Sequence, residues 1–224
     1  FWGSGVLKEG LILTGMGLLL WSFDKVISKS RNMIIMIIMI LSFVLVRYTK
    51  FYIILSLIPL MAGLFWVKYS NYKKSFAKFL IITSIIILSG FIVSFQIPEM
   101  DVLGELARKQ RDFIGLAHSV DSGSLILVRT LEPNIWSLIS NSPEALYNVL
   151  FRPWFFEISS PLLFAAGIEN LMFIIVASLA LFFYKKPDKK QKTLIFFCLI
   201  FVLEIYILSG LTTPVIGAFV RYKL

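Results

Sequence analysis

Cysteine and histidine are nearly absent: Cys198 and His118 each occur once in 224 residues. A lone cysteine excludes an intrachain disulfide and any cysteine metal cluster, and a lone histidine excludes a two-histidine metal site. Charge is scarce as well. Asp, Glu, Lys and Arg make up 16% of the chain against 58% hydrophobic residues, and mean hydropathy is +0.85. A soluble domain carries about 25% charged and about 45–50% apolar residues. The composition therefore argues against a water-soluble enzyme, a secreted disulfide scaffold or a disordered tail. No repeat of fixed period stands out. Gly15-Met16-Gly17 has no preceding strand and no phosphate loop, so it is no nucleotide fingerprint. No cofactor or metal is called for, and no catalytic residue can be named from the sequence.

What charge there is leans positive, with 22 Lys and Arg against 13 Asp and Glu, a net charge of +9. In a soluble chain such a balance raises the question of nucleic acid. Here the basic residues sit in short loops between apolar runs. That is the pattern of a topology signal, and no nucleic-acid partner is expected.

A helix needs about 20 mainly apolar residues, in a range of about 17–25, to cross a bilayer core. Phe51–Val67, Phe79–Gln96, Ser160–Tyr184 and Thr193–Thr213 meet or approach this, each with Lys at one or both ends. Asn32–Val46 and Gly10–Phe23 are shorter runs that reach span length if they start near Ser28 and Trp2. Val215–Val220 follows Pro214 and reads as the start of a seventh span. The chain begins with Phe1 rather than Met and stops soon after that start, so it reads as a piece of a larger protein. The organisation is 1–96 as four transmembrane helices, 97–159 as an external cap, and 160–224 as two further helices and the start of a third. The fold class is an all-α polytopic transmembrane bundle. The Met-Ile run 33–40 reads as lipid-facing filler.

Lysine and arginine density sets the expected orientation. Lys25, Lys29 and Arg31 occupy one loop, Lys68, Lys73, Lys74 and Lys78 a second, and Lys185, Lys186, Lys189, Lys190 and Lys192 a third. Segment 97–159 has five basic and eight acidic residues over 63 positions. The lysine-dense loops are therefore expected in the cytoplasm, and the acidic segment in the periplasm or exterior. Within that segment, Pro98 suits a first helical turn, and Leu103, Leu106, Phe113, Ile114 and Ala117 recur at helical spacing among charged residues. Asp121-Ser122-Gly123-Ser124 reads as a turn and Leu125–Leu131 as an extended stretch. Ser142-Pro143-Glu144 reads as a helix start, with Ser142 as N-cap. Arg152-Pro153 ends that helix, and Trp154, Phe155 and Phe156 read as an aromatic belt. A cap over the bundle is expected rather than a separate domain.

Ionisable residues inside a span are costly and point to function by default. Glu169 lies nine residues past Ser160 and Glu204 nine before Thr213. On antiparallel neighbouring helices, both carboxyls would sit roughly 13–14 Å below the outer surface. Such a pair would give a proton or cation site or the polar wall of a cavity. The plainer alternative is a protonated Glu hydrogen-bonded to Asn170, Ser178 or a carbonyl as helix glue. A second set, Lys8-Glu9, Arg47-Tyr48, Arg152, Glu157 and Arg221-Tyr222, falls near the outer ends of spans. Arginine pairs with phosphate in a bidentate way, so this set suits a lipid-linked phosphate. The alternative is interfacial anchoring of helices. His118 reads as a solvated surface residue and Cys198 as packing within a span.

Phe151-Arg152-Pro153-Trp154-Phe155-Phe156-Glu157, Glu169-Asn170-Leu171, Gly210-Leu211-Thr212-Thr213-Pro214 and Gly217-Ala218 leading to Arg221-Tyr222 resemble polytopic proteins of bacterial envelope-polysaccharide assembly. More loosely, they resemble the C-terminal half of GT-C type glycosyltransferases. The resemblance implies transfer or polymerisation of polyprenyl-phosphate-linked sugars at the outer face of the inner membrane. It implies that Arg47, Arg152 and Arg221 hold carrier phosphate and that Glu157 orients a sugar hydroxyl. GT-C enzymes usually place a catalytic acid in a first external loop, which this chain lacks, and Glu9 is not taken as that base. Expected partners are membrane lipid, the lipid-linked sugar and further membrane subunits. A proton-coupled transporter using Glu169 and Glu204, or a non-catalytic subunit of a membrane complex, are the rival readings.

Overall fold

The computed structural model describes residues 8–28, 32–70, 74–96, 101–119, 125–158, 161–183 and 186–222. Nine α-helices follow one another among the described residues: α1 (Lys8–Ile27), α2 (Met33–Thr49), α3 (Phe51–Tyr69), α4 (Ser75–Gln96), α5 (Val102–Ser119), α6 (Ile135–Phe151), α7 (Pro161–Phe182), α8 (Lys189–Thr212) and α9 (Ile216–Tyr222). Five of them, α1, α3, α4, α7 and α8, are long and apolar enough to cross a membrane, and α2 is a shorter apolar helix. The protein is an all-α polytopic transmembrane bundle. The chain divides into two compact units, 1–87 with 189–201 and 88–188 with 202–224, so the boundaries fall within α4 and α8.

In the first unit, hydroxyls on apolar helices bond back to their own carbonyls: Thr14 Oγ1 to Gly10 at 2.9 Å and Ser22 Oγ to Leu18 at 2.7 Å. This keeps them satisfied where water is absent. Asn32 caps α2 by accepting the Ile34 N–H. Lys50 alone separates α2 from α3 and is extended, with φ −149°. Pro59 lies inside α3 and is buried, as packed transmembrane helices tolerate. One turn on, a Cβ on Gly63 would stand 2.7 Å from Thr83 Oγ1 and 2.8 Å from Phe79 Cδ2. The missing side chain lets α3 and α4 approach closely, the small-residue device of membrane helices. Leu19, Val46, Leu57, Leu60, Val67 and Phe79 form the buried interior. Met33, Ile34, Met36, Ile37 and Ile40 are exposed, the surface expected of lipid-facing filler.

The second unit holds the amphipathic part of the chain. Asp101 opens α5 by accepting the Gly104 N–H at 2.9 Å; Pro98 and the 121–124 turn lie outside the described residues. Leu103, Ala107, Gln110 and Ala117 are buried on one face of α5, while Glu105, Arg108, Arg111, Asp112 and His118 are exposed. Arg108 pairs with Glu105 on that open face, which raises the guanidinium pKa through the shared hydrogen bond. Both groups are solvated, so the pair adds little stability. Residues 125–134 form no helix; Leu125 makes an isolated antiparallel bridge with Val215, and Ile126 N–H bonds the Pro214 carbonyl at 2.9 Å.

The start of α6 corrects the sequence reading. The helix begins at Ile135, seven residues before Ser142, and runs through Pro143. Asn134 is the true N-cap: its side chain accepts the Ser137 N–H at 2.6 Å. Ser142 sits within the helix and its Oγ donates back to the Leu138 carbonyl at 2.6 Å. Packing decides, because Ala145 and Val149 are buried beyond the proline while Leu138 packs against the same core before it. One core cluster joins Ala107, Leu131, Ala145 and Leu211, and another joins Ile126, Val149, Ile216 and Phe219. The apolar run after Pro214 thus sends Phe219 into this core, fully buried. Burying a side chain such as Phe219 or Val149 contributes about 1.5–3 kcal/mol where the alternative is water.

Candidate functional site

The clearest charged constellation among the described residues follows the end of α6. The Arg152 N–H bonds the Asn148 carbonyl at 3.1 Å as the last helical bond, and Pro153 cannot extend the helix. The Arg152–Pro153 peptide is cis. The chain then makes one 3₁₀ turn, Phe155–Glu157. Glu157 N–H reaches back to the Trp154 carbonyl at 2.9 Å, and Glu157 Oε2 accepts the Trp154 N–H at 2.9 Å. The other carboxylate oxygen, Oε1, accepts from Arg152 Nη1 at 2.9 Å. The side chains are 25% and 17% exposed, so the pair is partly withdrawn from water yet reachable. Such a charge-assisted bond is roughly twice as strong as a neutral one.

An aromatic ladder flanks the pair. The Trp154 ring lies 6.3 Å from Phe151 at an interplanar angle of 9°, and 6.2 Å from Phe156 at 5°. Tyr147 adds to one end, 5.2 Å from Phe151. Phe156 is 83% exposed. Below the loop, Ile158 and Pro153 rest over Gly167 of α7.

Of the residues singled out in the sequence, Arg152 and Glu157 are brought together. Arg47 belongs to the first unit, in the last turn of α2, with its guanidinium 4.2 Å above the Phe51 ring; Tyr48 beside it is exposed. The side chains of Lys8, Glu9, Arg221 and Tyr222 lie outside the described residues, although Arg221 and Tyr222 close α9. Glu169 and Glu204 both lie in the second unit, half-buried on α7 and α8, and Asn170 is buried. Cys198 is exposed on α8 rather than packed. Among the described residues no group of three or more metal-ligating side chains occurs.

Two polar clusters escaped the sequence reading. Gln110, 1% exposed, lies at the core of the second unit. Its Nε2 donates to the carbonyls of Leu211 at 2.9 Å and Arg129 at 3.2 Å, and its Oε1 accepts the Leu131 N–H at 2.7 Å. The signal was present: Gln110 falls on the apolar period of α5, between Leu106 and Ile114. In the first unit, Lys68 bonds Asp24 and Ser28, 44 and 40 positions earlier in the chain. Spacing within one helix gives no hint of that pairing. Comparison with known protein families, curated proteins and solved structures finds no match to this chain.

Proposed function

We propose that this chain is an inner-membrane protein of bacterial envelope glycan assembly, acting on polyprenyl-phosphate-linked sugars at the face that carries α5 and α6. The lysine-dense loops lie in the cytoplasm. The observation that carries this reading is the Arg152–Glu157 pair, held in an aromatic rim at the end of a surface helix. A guanidinium matches phosphate oxygens in a bidentate fork. Phosphate arriving at Arg152 competes with Glu157 Oε1, while Oε2 stays anchored on the Trp154 N–H. Released from arginine, Oε1 becomes an acceptor for a sugar hydroxyl.

The test uses the purified protein in nanodiscs with a radiolabelled polyprenyl-phosphate sugar. Arg152→Ala is expected to weaken binding at least tenfold, Arg152→Lys to recover part of it, and melting temperature to change far less in the lysine variant. Unaltered binding in Arg152→Ala overturns the proposal. A second reading, a proton-coupled membrane protein, draws on Glu169 and Glu204, two ionisable groups half-buried on apolar helices with Asn170 buried beside one of them. Glu169→Gln and Glu204→Gln would each abolish proton-dependent transport while leaving sugar-carrier binding intact.

A further inference from the structure

The first unit carries a groove that nothing in the proposed activity uses. It is an open apolar cavity of about 280 Å³ between α1, α2 and α3, lined by Leu19, Phe23, Phe43, Leu57, Met61 and Phe65 among others. On α3 the lining residues Ile54, Ile58, Met61 and Phe65 recur at spacings of four, three and four. One further step of three on the same stripe is Lys68. Its Nζ donates to Asp24 Oδ1 at 3.1 Å and to Ser28 Oγ at 2.6 Å, both at the end of α1. Two of the three helices that wall the groove, α1 and α3, are thus bridged at one end by a lysine held by two partners.

That end bears the marks of a membrane surface. Trp66 and Tyr69 beside Lys68 are 49% and 80% exposed, as aromatic anchors are at headgroup level. The charges there are one-sided. The described segments at this end, 24–28, 68–70 and 74–78, hold Lys25, Lys68, Lys74 and Lys78 against Asp24 alone. An apolar slot running under a cationic rim matches one class of molecule. The slot takes a hydrocarbon chain, and the rim takes a negative headgroup.

We propose that this groove holds one acyl chain of an anionic phospholipid whose phosphate sits at Lys68. Asp24 and Ser28 act as positioning groups: they hold the Lys68 ammonium over the end of the slot, where a phosphate oxygen takes a place beside them. A zwitterionic lipid of the same chain length gains the apolar contacts but little from the rim.

The experiment counts lipids retained by the full chain in native mass spectrometry, with phosphatidylglycerol and phosphatidylcholine of identical acyl chains. One phosphatidylglycerol is expected to be held at least tenfold more tightly than phosphatidylcholine. Lys68→Glu is expected to erase most of that preference, and Lys68→Arg to keep it. Met61→Trp, which fills the slot, is expected to lower retention of both lipids. As a check that needs no variant, phosphatidylglycerol with a photoreactive acyl chain is expected to mark the peptide spanning 54–65. Equal retention of the two lipids by the unaltered protein, or a preference untouched by Lys68→Glu, overturns the proposal. So does labelling confined to other helices.

Discussion

Gln110 donates to the carbonyl of Leu211, a residue 101 positions further along the chain. The same amide accepts from Leu131, so one side chain ties α5, the non-helical segment after it and the end of α8. Each buried group left unsatisfied costs about 1–3 kcal/mol. Gln110→Leu keeps the volume but strands the Leu131 N–H and two carbonyls. It is expected to lower stability by several such increments, whereas Gln110→Glu is expected to keep the Leu131 bond and lose the two donated ones. Thermal unfolding of both variants in detergent, ranked with Gln110→Leu the less stable, checks this.

Gly210 makes a sharper claim. A Cβ there would run into the backbone of Ala145, and backbone cannot swing aside as a side chain can. Overpacking of this kind typically costs 1–3 kcal/mol. Gly210→Ala is expected to lower the melting temperature by several degrees. Gly90, within α4, has nothing within 4 Å of its missing Cβ. Gly90→Ala is expected to stabilise, by up to about 1 kcal/mol, because alanine gives up less entropy on entering a helix. Equal effects from the two substitutions would contradict the packing described.

Half-burial of Lys109 on α5 lowers its pKa, because desolvation disfavours the charged amine. The unfolded chain then binds the proton more readily than the fold does. Stability attributable to this group therefore rises with pH in the window just below the ordinary lysine value of about 10.4. Carbon-13 NMR of reductively methylated protein should show the Lys109 signal titrating before those of exposed lysines. Lys109→Gln is expected to flatten the pH dependence in that window.

Sidedness has a direct assay. In a Cys198→Ala background, cysteine introduced at exposed Arg111 is expected to react with an impermeant maleimide on intact cells. Cysteine introduced at exposed Lys190 is expected to react only after permeabilisation. The reverse pattern would put the acidic cap in the cytoplasm and remove the glycan-assembly proposal.

The span helices were legible because their signal is bulk apolarity over a fixed length, which no tertiary contact overrides. The helical face of α5 was legible through the spacing of Leu103, Leu106, Phe113, Ile114 and Ala117. The start of α6 was not. Ser142-Pro143-Glu144 has the local chemistry of a first turn, yet Asn134 caps the helix earlier and the buried faces on both sides of Pro143 hold it continuous. Nor was the pairing of Arg152 with Glu157 foreseen, since both were read as members of one ligand-binding set and not as partners of each other. Five residues apart within one helix they would point apart; the 3₁₀ turn after Pro153 brings them together.

From Leu171 to Phe182, every residue of α7 is exposed, all the way round the helix. Its anchorage comes from the turns above, at Leu163, Ala166 and Asn170. Sequence drift among leucine, isoleucine, valine and phenylalanine should therefore pass almost unnoticed over those twelve positions, because acyl chains accommodate any of these shapes. Bilayer thickness, rather than complementarity to a neighbour, is the variable that selects this stretch.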